Sequence, residues 1–186
     1  MRRTVRHIFS VLTLLAGLAA PATAQDYLDL EYQYFNYASS GLGQHVPLGV
    51  AVGYQYTINK GPWSVIGSID WARDSESFAL TPRLESHSTL TLTAFSGGGR
   101  WTGPGESPVF LQLLLGAVTS SATVETSLTE PESASTTDFM FQLGAGFSTP
   151  LTERLSIVGQ ADYRDITGQI GRDGLRLAGG LRIAIR

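Results

Sequence analysis

The stretch that decides the fold is residues 138–148, DFMFQLGAGFS. Large apolar side chains stand at every second position here, at Phe139, Phe141, Leu143 and Phe147, and small or polar residues lie between several of them. A period of two places alternate side chains on opposite faces of a β-strand, whereas an amphipathic helix would need a spacing of three to four. The segment therefore predicts a strand with one large apolar face and one small, polar face.

The same alternation recurs along the rest of the chain. Eight segments show it, separated by connectors rich in turn residues: 27–37, 48–57, 63–73, 89–101, 108–120, 138–148, 154–165 and 174–186. In the fourth segment, Gly97-Gly98-Gly99 predicts a bulge or a bend. The pattern predicts an all-β protein with eight strands.

The connectors alternate in length. Three are short, 58–62, 102–107 and 150–153, and four are longer, 38–47, 74–88, 121–137 and 166–173. Short turns at one end and long loops at the other predict an eight-stranded antiparallel up-and-down transmembrane β-barrel. An even number of strands places both termini at the short-turn end, and the first strand must pair with the eighth to leave no free edge.

The small residues decide which face of the barrel meets lipid. A soluble lipocalin-like barrel would be apolar inside and polar outside. Eight strands enclose only enough room for side chains, so a row of glycine and alanine relieves crowding in a narrow interior. That row contains Gly49, Ala51, Gly53, Gly116, Gly144, Gly146 and Gly180. We therefore expect the small, polar row to face inward and the large apolar row to face lipid.

The N-terminal segment has the three parts of a secretory signal peptide. Three arginines lie within the first six residues, residues 8–20 carry no charge, and residues 21–24 read PATA. At 1.5 Å per residue, the uncharged run spans about 20 Å, less than the ~30 Å hydrocarbon core. We predict that residues 1–24 are a signal peptide cleaved before Gln25, which leaves residues 25–186 as the barrel.

Composition excludes several classes of function. The chain has no cysteine, so neither a disulfide nor a thiolate metal site is available. A net charge of −3 gives no basic footprint for nucleic acid. Its histidines, His7, His45 and His87, are not at metal-ligand spacing, and no glycine-rich loop opens a helix. We expect no metal, no cofactor and no nucleic-acid partner.

Several stretches resemble the outer-membrane β-barrel domain family, the small eight-stranded barrels of the OmpA/OmpX type. They are residues 95–100, FSGGGR; 142–147, QLGAGF; 151–157, LTERLSI; 160–163, QADY; and 175–181, LRLAGGL. The resemblance implies a bacterial outer-membrane location with both termini in the periplasm. Chains of this family often end in an aromatic residue, whereas this one ends Ile185-Arg186.

One constellation invites comparison with an acyl-transfer enzyme. His45 lies in the first long connector and Asp74-Ser75 opens the second, so neighbouring loops could bring the three together, as in a lipid A palmitoyltransferase of similar size. His87-Ser88 invites a looser comparison with lipid A deacylases. Loops of small barrels are rich in these residue types, and no wider motif supports catalysis. We predict that the chain is not an enzyme.

Charged residues on the inward row form the other candidate site. Alternation points Asp29 inward together with the charge cluster Glu31, Asp70, Arg100, Asp162, Arg176 and Arg182. Charges removed from water are normally paired, which favours a plug of ion pairs over an ion path. Specifically, we predict that Glu31 pairs with Arg182 or Arg100.

Two classes of function remain. The first is a structural or surface-interaction protein whose interior is filled by polar and charged side chains; the second is a narrow channel for small solutes or ions. We expect a monomer whose partners are outer-membrane lipid, including lipopolysaccharide, and the barrel-insertion machinery.

Overall fold

The computed structural model describes residues 26–38, 45–59, 61–81, 84–104, 107–126, 129–168 and 172–185. They form eight strands: β1 Asp26–Ala38, β2 His45–Thr57, β3 Trp63–Thr81, β4 Leu84–Thr102, β5 Val109–Thr126, β6 Thr129–Pro150, β7 Leu155–Thr167 and β8 Arg172–Ala184. Within these residues, no helix is long and apolar enough to cross a bilayer. The predicted signal peptide, residues 1–24, lies outside the described residues.

The eight strands close into one antiparallel barrel in sequence order. The first and last strands complete it, with pairing that runs from Tyr27 opposite Ala184 to Ala38 opposite Asp173. This confirms the predicted up-and-down topology and the predicted β1–β8 closure. The first and last described residues, Asp26 and Ile185, lie at the end of the barrel that carries the short turns.

Strand β5 shows how the faces are divided. Leu111, Leu113 and Leu115 point outward and are 46–49% exposed, whereas Gln112 and Leu114 between them are 3% exposed. The outer face is therefore a belt of large apolar side chains, which a soluble barrel would not present to water. The predicted inside-out arrangement is confirmed on this strand and recurs around the barrel.

Four strands are longer than the sequence predicts. Strands β3 to β6 contain 19, 19, 18 and 22 residues, against 13 in each of the other four. The prediction of loops at 74–88 and 121–137 is wrong, because pairing continues through Ser75 opposite Thr89 and through Ser121 opposite Ser135. The apolar–polar alternation ends where the apolar belt ends, but serine and threonine remain compatible with strands. The additional residues carry the strands roughly 20 Å further, at about 3.3 Å per residue.

The extended part of these strands forms an open, four-stranded sheet, which we call the extended sheet (residues 71–81, 84–93, 119–126 and 129–137). Pairing of β2 with β3 ends at Leu48 opposite Arg73, and pairing of β6 with β7 ends at Phe139 opposite Thr167. Beyond these pairs, the described residues show no strand beside either outer edge. The extended sheet therefore rises above one side of the barrel with two free edges.

Both free edges carry a feature that opposes further pairing. On β3, Asp74 Oδ1 accepts the backbone N–H of Ser75 at 2.9 Å, just beyond the last pair with β2. On β6, Pro131 has no N–H to offer and lies beside a shift in register. Proline on an edge strand and occupied edge donors are common protections against edge-to-edge association.

The glycine triplet on β4 does not form the predicted bulge. Pairing continues without a register shift through Gly97, Gly98 and Gly99, on both sides of the strand. A Cβ at Gly98 would overlap the backbone carbonyl of Leu113 on β5. Glycine at this position lets β4 approach β5 closely, so β4 continues as a regular strand.

Candidate functional site

The half of the barrel interior nearest the termini holds a network of buried charges. Asp29 accepts two hydrogen bonds from Arg182, Nε to Oδ1 at 2.7 Å and Nη2 to Oδ2 at 2.8 Å. Arg100, on the far side of the bore, donates to the same carboxylate from Nη1 at 3.2 Å. All three side chains are buried. One carboxylate therefore joins the first, fourth and eighth strands.

Arg176 forms a second centre in the same interior. Its Nη2 donates to Glu31 Oε2 at 2.8 Å, its Nη1 to Asp162 Oδ2 at 2.6 Å, and its Nε to Gln33 Oε1 at 2.6 Å. These contacts use all three nitrogen atoms of one guanidinium and connect β1, β7 and β8. Two carboxylates share one arginine here, and the paired geometry offsets part of their desolvation cost.

The predicted partners of Glu31, Arg182 and Arg100, are therefore wrong. In the closing strand pair, Arg182 lies opposite Asp29, whereas Glu31 lies opposite Gly180. Arg182 thus reaches Asp29 directly, and Glu31 is reached by Arg176. The stagger of neighbouring strands decides which inward side chains share a level, and that stagger depends on the closed barrel.

Glutamines join the two centres into one network. Gln112 Oε1 accepts from Arg100 Nη2 at 2.7 Å, and Gln112 Nε2 donates to Asp162 Oδ1 at 2.7 Å. Gln160 Nε2 donates to Glu31 Oε2 at 3.0 Å. An amide both donates and accepts, so each glutamine relays between a guanidinium and a carboxylate.

Asp70 and Arg164 form a further ion pair, between strands β3 and β7. Gln142 Oε1 accepts from Arg164 Nη2 at 2.7 Å, and the guanidinium lies 4.8 Å from the centre of the Phe35 ring. Sequence reasoning missed Arg164, although it stands two positions after Asp162 and so continues the inward row of β7. The alternation was sufficient to find it.

The interior also contains an apolar layer that the sequence analysis did not anticipate. This layer lies between the charged network and the long hairpins. Buried side chains from six strands pack against one another in it: Phe35, Ala72, Leu92, Ala94, Val118, Met140 and Ile166. The interior is therefore layered, polar near the termini and apolar toward the hairpins.

A small cavity of about 20 Å³ remains among the polar side chains. Asp29, Glu31, Arg100 and Arg176 line it, together with glutamines and small residues. This volume fits about one water molecule. Space of this size therefore leaves room for one water molecule among the charged side chains.

Small inward residues make room for the charges, as predicted for the glycine row. A Cβ added to Gly144 would overlap the Asp162 carboxylate, and one added to Gly146 would overlap the Phe110 ring. Phe110 in turn lies 4.0 Å from the Arg100 guanidinium, measured to the ring centre. The glycines of β6 thus leave the space that inward side chains of β5 and β7 occupy.

The residues considered for acyl transfer have other contacts. Ser75 Oγ lies 3.3 Å from Thr89 Oγ1, and Asp74 binds the Ser75 backbone. His87 Nδ1 lies 2.8 Å from Ser77 Oγ, on an exposed part of the extended sheet. The side chain of His45, at the start of β2, lies outside the described residues. Within the residues that the structure covers, no group of three His, Asp or Glu side chains is placed to hold a metal ion.

Comparison with known proteins identifies the architecture. The profile of the outer membrane protein beta-barrel domain matches residues 10–182. No curated protein sequence matches the chain. The structure of Ail, the attachment invasion locus protein of Yersinia pestis, in complex with the heparin analogue sucrose octasulfate, is similar with a TM-score of 0.60 at 20% identity, over 86% of this chain and 97% of Ail. Neisserial surface protein A is similar with a TM-score of 0.59 at 14% identity, over 87% of this chain and 97% of that protein.

Proposed function

The chain belongs to the outer membrane protein beta-barrel domain family, and from that premise we propose that it is a non-conducting outer-membrane barrel that presents the extended sheet at the cell surface for interaction with a partner. The observation that carries the proposal is the length of β3 to β6, which continue well past the apolar belt. A barrel needs only about 9–11 residues per strand to cross the membrane. The additional pairing builds an ordered surface that membrane anchoring does not require.

The orientation follows from the connectors. In outer-membrane barrels the short turns face the periplasm and the longer connections face outward. We therefore place both termini in the periplasm and the extended sheet outside the cell.

The layered interior supports the absence of conduction. The network contains four arginines and four carboxylates: Arg100, Arg164, Arg176, Arg182, Asp29, Glu31, Asp70 and Asp162. Signs are balanced, and the apolar layer lies across the path toward the hairpins. A narrow channel would need both layers to open together. We expect no unitary conductance from the refolded protein in planar bilayers, and regular single-channel steps would favour the channel alternative.

The charge of the hairpins constrains the partner. Segments 74–88 and 121–137 contain six carboxylates and one arginine, with the acids at Asp74, Glu76, Glu85, Glu125, Glu130 and Glu132. Ail was crystallised with a polyanion, the heparin analogue sucrose octasulfate. An acidic surface repels such a ligand. We expect this chain to bind sucrose octasulfate, a polyanion, weakly.

Cysteine labelling tests the orientation, because the chain contains no cysteine of its own. Ala134→Cys lies in the exposed part of the extended sheet, and Glu153→Cys lies in the exposed turn between β6 and β7. A membrane-impermeant maleimide should label Ala134→Cys on intact cells and Glu153→Cys only after the outer membrane is opened. The reverse pattern would place the extended sheet in the periplasm and refute the proposal.

A further inference from the structure

The outer face of the extended sheet carries an ordered array of hydroxyl groups. One row of outward apolar residues consists of Ile69, Phe95, Ala117 and Phe139; immediately beyond it, the outward positions of β4, β5 and β6 are serine or threonine, whereas β3 reaches a serine only after Trp71 and Arg73. The next three outward rows are Trp71, Thr93, Thr119 and Thr137; Arg73, Thr91, Ser121 and Ser135; and Ser75, Thr89, Thr123 and Ser133. Ten of these twelve residues are serine or threonine. We call these twelve residues the hydroxyl face.

The opposite face of the same sheet is different. Its three matching rows are Ala72, Leu92, Ser120 and Thr136; Asp74, Leu90, Ala122 and Ala134; and Glu76, Ser88, Val124 and Glu132. Only three of these twelve are serine or threonine. Strand propensity would favour threonine on both faces, so it does not account for the segregation. The hydroxyl groups are concentrated on the face that continues the lipid-facing surface.

Pairs of hydroxyl groups on this face are already oriented by one another. Thr119 Oγ1 lies 2.9 Å from Thr137 Oγ1, and Ser121 Oγ lies 3.2 Å from Ser135 Oγ. A hydroxyl has one donor and two acceptor sites, so a lateral pair leaves capacity for a ligand. Groups held in place before binding lose less entropy when the ligand arrives.

Two other residues complete the chemistry of a saccharide site. Trp71 is 44% exposed in the first row and offers an indole face for a sugar ring. Arg73, exposed in the second row, offers a guanidinium suited to a phosphate group. Hydroxyl groups, an aromatic face and one cation together match a phosphorylated oligosaccharide better than they match an apolar or strongly charged protein surface.

We propose that the hydroxyl face binds the core oligosaccharide of the lipopolysaccharide molecules whose acyl chains cover the apolar belt. The hydroxyl face is continuous with that belt, strand by strand, so one amphipathic ligand can occupy both surfaces. The inference rests on the proposed outward orientation of the extended sheet.

Tryptophan fluorescence tests the proposal directly. The chain has three tryptophans, and Trp63 and Trp101 face each other at the terminal end of the barrel. Trp63→Phe with Trp101→Phe leaves Trp71 as the reporter in the refolded protein in detergent micelles. Delipidated core oligosaccharide should produce a saturable shift of the Trp71 emission. Absence of a shift, with the barrel shown to be folded, would overturn the proposal.

Valine substitutions separate hydroxyl chemistry from strand structure. In the reporter protein, Thr91→Val, Ser121→Val and Thr123→Val together keep β propensity but remove three central hydroxyls. We expect about tenfold weaker affinity, since each lost hydrogen bond contributes modestly. The matched control changes the opposite face of the same strands, Ser88→Val, Leu90→Val and Ala122→Val, and should bind like the reporter protein. Equal weakening in both triple variants, or in neither, would overturn the inference.

A lipid comparison locates the recognised part of the ligand. In nanodiscs, the parent protein should retain lipopolysaccharide with a complete core more strongly than lipid A without core sugars, and the outer-face triple variant should lose that preference. Absence of this preference in both proteins would assign retention to the acyl chains, and an equal preference in both would place sugar recognition away from the hydroxyl face; either result would refute the inference. Labelling of Ala134→Cys from outside the cell, combined with no oligosaccharide binding, would leave the proposed function standing and refute only this inference.

Discussion

Asp29 and Arg182 lie opposite each other in the strand pair that closes the barrel, and two hydrogen bonds of 2.7 and 2.8 Å join them. This ion pair therefore connects the first strand of the barrel to the last. Arg100 reaches the same carboxylate from across the bore. Asp29 thus contributes both to closing the barrel and to filling its interior.

Removal of the Asp29 carboxylate should destabilise the barrel strongly. Asp29→Ala leaves two buried guanidinium groups without this partner, and an uncompensated buried charge typically costs ~3–5 kcal/mol. Urea unfolding of the refolded protein, followed by tryptophan fluorescence, measures the change. The control is Glu153→Ala in an exposed turn, which should change the free energy of unfolding by less than about 0.5 kcal/mol. Equal stability of the two variants would show that the ion pair does not hold the barrel together.

Glu31 should couple to Arg176 and only weakly to Arg182. A double-mutant cycle with Glu31→Ala and Arg176→Ala should give an interaction energy of roughly 1–3 kcal/mol, because the two side chains share a hydrogen bond. The same cycle with Arg182→Ala should give a clearly smaller value, since Arg182 binds Asp29. A larger coupling to Arg182 would mean that the register of β1 against β8 differs from the one described.

A positive charge on the outer belt should oppose membrane insertion. Leu143→Arg places a guanidinium on the lipid face, at an apolar side chain that is 53% exposed. Such substitutions cost about 2–4 kcal/mol near the middle of the bilayer. Folding into lipid vesicles, measured by the gel shift between heated and unheated samples, should become less favourable. Ala134→Arg in the extended sheet should fold like the parent, and a comparable loss there would contradict the assignment of the belt.

The glycines of β6 should be intolerant of even one methyl group where they face an interior charge. Gly144→Ala overlaps the Asp162 carboxylate, and overpacking of this kind costs roughly 1–3 kcal/mol. Gly99 is the matched control, because a Cβ there meets no atom within 4 Å. Gly99→Ala should leave the midpoint of urea unfolding unchanged or raise it. Similar midpoints for the two variants would show that Asp162 moves aside freely.

The N-terminus offers a test that is independent of the fold. The protein purified from outer membranes should begin at Gln25, because the three-part pattern of residues 1–24 directs export and cleavage. Intact-mass spectrometry would report the loss of that segment. Retention of Arg2 and Arg3 in the membrane form would refute a cleaved signal peptide.

Alternation along single strands was enough to predict the barrel, the lipid-facing side and the inward charges. The period of two is a local property, so Leu113 and Gln112 reveal their faces without reference to any other strand. The same reasoning, carried two residues further along β7, would have found Arg164. Residues 1–24 also carry a local pattern, and the cleaved signal peptide that it indicates stays a prediction.

The tertiary structure alone decided which inward side chains meet. The stagger between β1 and β8 brings Asp29 level with Arg182, so Arg182 pairs with Asp29 and Glu31 pairs with Arg176 instead. This stagger is a property of the closed barrel. The extended sheet could not be predicted from the sequence either. Ser121 and Ser135 lie in stretches where neither face of the strand is strongly apolar, so the apolar–polar alternation is lost there. Their alignment into the hydroxyl face comes from the register of four strands, which no single segment of the sequence contains.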